Sequence, residues 1–246
     1  MLTISAGHYG KGTGASGFID EGQEVIFVVQ ELEKRLKKSA VKTNVIMDRQ
    51  SKNQHQNLTY LVQQHNSTQR ELDVSIHFNS SGETRHDGIG TEVLYVNSKI
   101  QPFAQKLSAT IAQAGGFKNR GAKQRTDLAL LNGTTKPAII IEICFVNSEK
   151  DVQHYKAYQS KIFDAIVAEF INFFMPTPTS MLVSSAALQQ KTEAIFSNKE
   201  YVKKQLQQGV EQGLYQAIWL EKFERGELTF IDYLAITTLQ FRENFH

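Results

Sequence analysis

Ala138-Ile139-Ile140-Ile141-Glu142-Ile143-Cys144-Phe145 is the stretch that decides the fold. Seven of its eight residues are apolar, so no polar-apolar alternation marks a solvent-facing side. A strand of this kind belongs at the centre of a sheet covered on both faces. Glu142 alone breaks the run. A carboxylate in so apolar a strand is costly unless it has a partner or a chemical task.

Working outward, short β-rich runs recur at Leu2–Ala6, Asn44–Met47, Leu72–Phe78, Thr91–Val96 and Leu128–Leu131. Helical spacing lies between them. Glu24–Lys38 places Val25, Val28, Val29, Leu32 and Leu36 on one stripe. Phe103–Gln113 and Asp151–Phe174 read the same way, and Asn57–His65 is a weaker helix. Strands alternating with helices predict an α/β fold, with a mostly parallel twisted sheet flanked by helices.

Composition narrows the function. With 41% hydrophobic residues among 246, the chain can bury a real core, which argues against wholesale disorder. One cysteine can form neither an internal disulfide nor a thiolate zinc cluster. A net charge of +2 argues against a nucleic-acid binder. No apolar run approaches the roughly 18 residues of a membrane span. Met1–Ala6 lacks a basic region followed by a long apolar core, so the expectation is synthesis in the cytoplasm without a signal peptide.

Met175-Pro176-Thr177-Pro178-Thr179-Ser180 carries two of the four prolines and reads as a stiff linker. It separates a Gly-rich part of alternating strands and helices from a Gln-, Leu- and aromatic-bearing part with helical spacing. Residues 1–180 carry a net charge of +3, and residues 181–246 one of −1. The expected organisation is an α/β domain over 1–175, a linker over 176–180 and a small all-α domain over 181–246. In that last part, helices are expected at Leu188–Leu206, at Leu214–Arg225 ended by Gly226, and at Phe230–Phe241 capped by Thr229.

The glycine pattern Gly12-Thr13-Gly14-Ala15-Ser16-Gly17 matches a dinucleotide fingerprint literally. In that motif an acid at the end of the next strand lies about 20 residues on. Asp48 is the nearest equivalent and lies too far along. No P-loop pattern is present.

Open α/β sheets keep their sites at the carboxyl ends of the strands. His8 directly follows the first strand, His77 sits near the end of Leu72–Phe78, and Glu142 lies within the central strand. Asp20-Glu21 precedes the Glu24–Lys38 helix, where the macrodipole also favours acids. Two imidazoles and one carboxylate can bind Zn²⁺ and leave a position for water, and a further carboxylate can act as general base. Spacing does not say which acid does which. His55, His65, His86, His154 and His246 sit in polar or helical contexts and read as structural or solvated.

The segments Ile4-Ser5-Ala6-Gly7-His8, Gly17-Phe18-Ile19-Asp20-Glu21, Ser75-Ile76-His77-Phe78-Asn79-Ser80 and Ile141-Glu142-Ile143-Cys144-Phe145-Val146-Asn147 occur in one order and spacing. In this they resemble zinc-dependent N-acetylmuramoyl-L-alanine amidases of the amidase-3 type. Gly90–Tyr95 and Leu130–Pro137 resemble that family's connecting segments. The resemblance covers residues 1–174. It implies that His8, Glu21 and His77 ligate one Zn²⁺ and that Glu142 is the catalytic carboxylate. It also implies that Asn79 and Arg125 contact substrate. The family's usual Gly-His-Gly-Gly opening is here Gly7-His8-Tyr9-Gly10.

The implied activity is hydrolysis of the amide between N-acetylmuramic acid and L-alanine in bacterial peptidoglycan. Together with the expected cytoplasmic synthesis, this suggests a phage endolysin that reaches the wall through a holin. The competing readings are a zinc peptidase cutting the stem peptide and a host autolysin of the same chemistry. The aromatic stripe of residues 181–246, with Tyr215, Trp219 and Phe223, fits core packing, wall targeting or self-association.

Overall fold

The computed structural model describes residues 1–175, 194–213, 216–228 and 232–233. The chain divides into two compact units, Met1–Met175 and Pro176–His246.

The first unit follows the order β1 (Leu2–Ala6), α1 (Glu21–Leu36), β2 (Thr43–Ile46), α2 (Gln54–Ser67), β3 (Leu72–Asn79) and β4 (Thr91–Tyr95), then α3 (Gln101–Gly115), β5 (Asn119–Gln124), α4 (Ala129–Gly133), β6 (Ala138–Phe145) and α5 (Glu149–Phe174). The sheet order is β2-β1-β3-β6-β4-β5. All neighbours are parallel except β4 and β6, which run antiparallel. The sheet is therefore mostly parallel, with β6 central as its apolar run requires.

Strand alternation sorts the side chains into two cores. Leu2, Ile4, Val74, Ile76, Val93, Ile139 and Ile141 point to one face and pack with Val25, Leu32, Leu107, Ile111, Tyr155 and Phe163 of α1, α3 and α5. Ala138, Ile140 and Leu94 point to the other face and pack with Leu61, Leu130 and Leu131 of α2 and α4. The odd-numbered residues of β3 and the even-numbered ones of β6 and β4 share that second face. His77, Glu142 and Glu92 thus emerge together.

Two expectations need correction. Leu128–Leu131 is not a strand: Ala129–Gly133 forms a short helix, because this apolar run packs one side onto the second core. The fifth strand is Asn119–Gln124, polar and partly exposed at the sheet edge.

In the second unit, α6 (Lys199–Glu211) and α7 (Ile218–Glu224) are helical, and Val202, Leu206, Leu228 and Tyr233 form a small core. The helix expected over Leu188–Leu206 is interrupted at Asn198, whose side chain caps α6 by accepting from the Tyr201 N–H at 3.1 Å. Gly226 ends the following helix with φ of 71°. The expected linker 176–180, Tyr215, Thr229 and most of Phe230–Phe241 lie outside the described residues.

Candidate metal centre and active site

His8 leaves the sheet directly after β1, and His77 is near the end of β3. The adjacent parallel strands bring them side by side, with ring centroids 5.0 Å apart in an edge-to-face arrangement. Room for this comes from Gly7: a Cβ there would overlap the His77 ring.

Glu21 arrives from the first turn of α1. Asp20 fixes that turn by accepting from Gln23 N–H at 3.0 Å and from Gly12 N–H at 2.9 Å. The sequence-level choice within the Asp20-Glu21 pair thus has a structural counterpart: Asp20 caps the helix and Glu21 faces the histidines. Glu21 Oε1 lies 3.0 Å from His8 Nε2 and 3.2 Å from His77 Nδ1. It also accepts from Phe78 N–H at 3.0 Å, while Oε2 accepts from Ala15 N–H at 2.7 Å. Burial pushes the Glu21 carboxyl pKa upward. Hydrogen bonds and charge from His77 and His8 outweigh burial and hold it well below the usual carboxylate range.

One ligand atom from each of His8, Glu21 and His77 lies within 4.8 Å of the others. Two nitrogens and one ionised oxygen converging from three elements suit a borderline cation of the Zn²⁺ type. The glycine loop fits closely around this set. Gly14, with φ of +88°, leaves no space for a Cβ, which would lie 2.6 Å from Glu21 Oε2. The fingerprint-like glycines therefore wrap the His8–Glu21 pair. Asp48, fully buried, accepts from Gln50 N–H, Ser51 N–H and Asn57 Nδ2 in its own loop.

Glu142 is the direct register partner of His77 on β3 and of Glu92 on β4. Its Oε2 is sealed from solvent and has no hydrogen-bond partner among the described residues. Burial first, then the charges of Glu21 and Glu92, push its pKa up to about 8. A half-buried carboxyl with one sealed, unsatisfied oxygen beside a cluster of ligand atoms marks a functional position.

Of the two residues expected at substrate, Asn79 donates from Nδ2 to Glu92 Oε1 at 3.0 Å, and its Oδ1 accepts from Ser80 N–H. Arg125 is held by a bidentate pair with Asp127 at 2.8 and 2.7 Å. Sequence reasoning missed Glu92. It is buried and accepts from Arg120 Nε and Lys123 Nζ, both at 2.6 Å. Its signal was an acid inside Thr91-Glu92-Val93-Leu94-Tyr95, the same break in an apolar run that marks Glu142. His65, expected to be structural or solvated, is structural. It is fully buried, with Nδ1 2.7 Å from Asp73 Oδ1.

A family model described as N-acetylmuramoyl-L-alanine amidase matches residues 2–172. The chain belongs to that family. It is 31% identical over 175 residues to an uncharacterised protein of Clostridium perfringens, a match covering 70% of this chain and 51% of that protein. The chain spans about half the length of the curated relatives it matches. Among solved structures, the catalytic domain of the CD27L endolysin targeting Clostridia difficile is 29% identical, with a TM-score of 0.62. That match covers 70% of this chain and 96% of that one. The catalytic domain of CwlV, an N-acetylmuramoyl-L-alanine amidase from Bacillus (Paenibacillus) polymyxa, shares the fold. It is 24% identical with a TM-score of 0.57, covering 70% and 97% of the two chains. The matched region of this amidase-family chain contains all of the site described above.

Proposed function

We propose that this chain hydrolyses the amide joining the lactyl group of N-acetylmuramic acid to L-alanine in bacterial peptidoglycan. One observation carries the reading: a two-histidine, one-carboxylate set sits beside the half-buried Glu142, whose sealed Oε2 has no partner among the described residues, in a member of the amidase family. His8, Glu21 and His77 would hold the metal, read as Zn²⁺. A zinc ion there supplies a Lewis acid that polarises the amide carbonyl and acidifies water.

The protein's own part falls to Glu142. In the metal-free fold burial holds this carboxyl above the ordinary carboxylate range, and a carboxyl moved toward neutral pH is suited to accept and return a proton. Glu142 takes a proton from the water that adds to the carbonyl carbon. It delivers that proton to the L-alanine nitrogen as the C–N bond breaks, leaving a lactyl carboxylic acid and a free amine. Asn79 and Arg125 are assigned to substrate contact, Asn79 with its amide orientation set by Glu92. A cleft lined by His8, Tyr9, Gly12, Thr13, Gly14 and Gln54 leaves space for substrate beside the ligand cluster.

We further assign the chain to a phage endolysin released by a holin, a reading supported by its likeness to an endolysin catalytic domain. Residues 181–246 are assigned to wall targeting or self-association. Mass spectrometry of digested peptidoglycan tests the chemistry. An amidase yields intact stem peptides with free L-alanine N-termini and peptide-free glycan. Cuts inside the stem peptide would instead establish the peptidase reading. A holin gene beside this one separates the endolysin from a host autolysin.

A further inference from the structure

The edge strand β5 carries a feature that the proposed reaction does not use. Between β4 and β5 the pairing goes from Thr91↔Asn119 to Val93↔Ala122, so β5 holds one extra residue opposite Glu92. This is a β-bulge, and such bulges beside active sites re-aim side chains. Gly121 permits it with φ of +77°. Asn119 Oδ1 pins it by accepting from Gly121 N–H at 2.9 Å, and Gln105 Oε1 accepts from Ala122 N–H at 2.9 Å.

In a regular strand, residues three apart face opposite sides. The bulge breaks that alternation, so Arg120 and Lys123 both reach Glu92 Oε2. One carboxylate thus meets two cations and leaves one positive charge in surplus. That count covers Glu92, Arg120 and Lys123 alone; the Arg125–Asp127 pair beside them is itself neutral. Arg120 is further oriented by Phe145, with its guanidinium carbon 5.1 Å from the ring centroid. Its terminal nitrogens carry no hydrogen bond among the described residues. The Arg120 and Lys123 side chains are 30% and 40% exposed, so donors remain available to a ligand.

Glu92 and Glu142 are cross-strand partners, which places their Cα atoms about 5 Å apart. The cations therefore stand within roughly one peptide residue of the position assigned to proton transfer. We propose that Arg120 and Lys123, presented by the β5 bulge and spaced by Glu92, form a subsite for a free carboxylate on the stem peptide. This carboxylate belongs to the acidic residue that follows L-alanine, and the subsite distinguishes it from a carboxamide. The inference rests on the amidase reading.

Two synthetic muropeptides test it, identical except that the second stem residue bears a carboxylate or a carboxamide. The full zinc-loaded chain is expected to favour the carboxylate by about tenfold or more in kcat/KM, chiefly through KM. K123M should bring the ratio near one, and K123R should retain most of it. Zinc content and melting temperature of each variant report on folding. A wild-type ratio near one, or an unchanged ratio in well-folded K123M, would overturn the subsite. Failure of the wild type to release L-alanine N-termini from either muropeptide would instead overturn the amidase reading.

Discussion

Glu142 and Glu92 are direct partners on the antiparallel β6–β4 pair, yet their surroundings are opposite. Glu92 has Arg120, Lys123 and Asn79 as donors, and although burial pulls its pKa upward, those cations hold it below the ordinary carboxylate value. Glu142 has an oxygen with no partner among the described residues, and burial drives its pKa up. Two acids in one cross-sheet row are thus assigned different tasks by their neighbours. Glu92 is a fixed anion that organises cations, and Glu142 is the proposed proton carrier.

Removal of the Glu142 carboxyl should separate chemistry from metal binding. Glu142→Ala is expected to bind zinc with wild-type stoichiometry and to lose roughly 10³-fold in wall lysis, within the range for a general acid-base group. Zinc analysis and turbidity loss on purified walls measure the two. Wild-type lysis by the variant would remove Glu142 from the mechanism. His77→Ala should behave differently and lose the metal itself.

The same residue gives a pH prediction for metal-free protein. Its pKa rises from 4.5 in the ordinary state to about 8 in the fold. The folded state therefore binds this proton more tightly than the unfolded chain does. Stability from this group is present below about 4.5 and declines as pH rises toward 8, by up to about 1.4 kcal/mol per pH unit. Glu142→Gln mimics the protonated form. In chelator-treated protein, its melting temperature should match wild type near pH 4.5 and exceed it increasingly up to pH 8. Parallel pH profiles would contradict the assignment.

How much of this was legible follows from where each residue lies. Ala138–Phe145 announced itself because a strand buried on both faces cannot hide its composition. Asn119–Gln124 did not, because an edge strand with one bulge has neither an apolar run nor alternation to display. Leu128–Leu131 was misread because four apolar residues suit a strand or a helical turn equally, and only packing against Leu61 and Ile140 decides. His8, His77 and Glu142 were findable as ionisable groups at strand ends. Asp20 and Glu21 divide their roles according to which points into the turn and which toward the histidines, a matter of one helical step. Glu92 shows the same local signal as Glu142, an acid inside a short apolar strand, but its role comes from register with Glu142, which that signal does not encode.

Gly7 sets the spacing of the histidine pair, since a side chain there would overlap the His77 ring. Gly7→Ala should leave the sheet folded but displace that imidazole. Zinc affinity is expected to fall at least tenfold, on the scale seen when groups supporting a ligand are altered. Competition with a chromophoric chelator measures it. Unchanged affinity would mean that the ring has another position from which to serve.

The buried cluster at the opposite end of β3 should matter for stability rather than activity. Asp73 is fully buried and receives Arg70 Nε on both oxygens, at 2.9 and 3.1 Å, as well as His65 Nδ1 at 2.7 Å. It lies four residues before His77, roughly 13 Å along the strand. Asp73→Ala strands the Arg70 guanidinium in a site that is itself nearly sealed from water. Removing one partner of a buried ion pair typically costs about 3–5 kcal/mol, because the remaining charge keeps its desolvation penalty. Urea unfolding of the metal-free chain should register a loss of that size. Zinc stoichiometry should stay at wild-type level wherever the variant remains folded, because the proposed ligands follow β1 or lie on α1 and the far end of β3. A loss below about 1 kcal/mol would show that Arg70 finds another acceptor, with Asn66 Oδ1, already 2.7 Å from its Nη2, the nearest alternative.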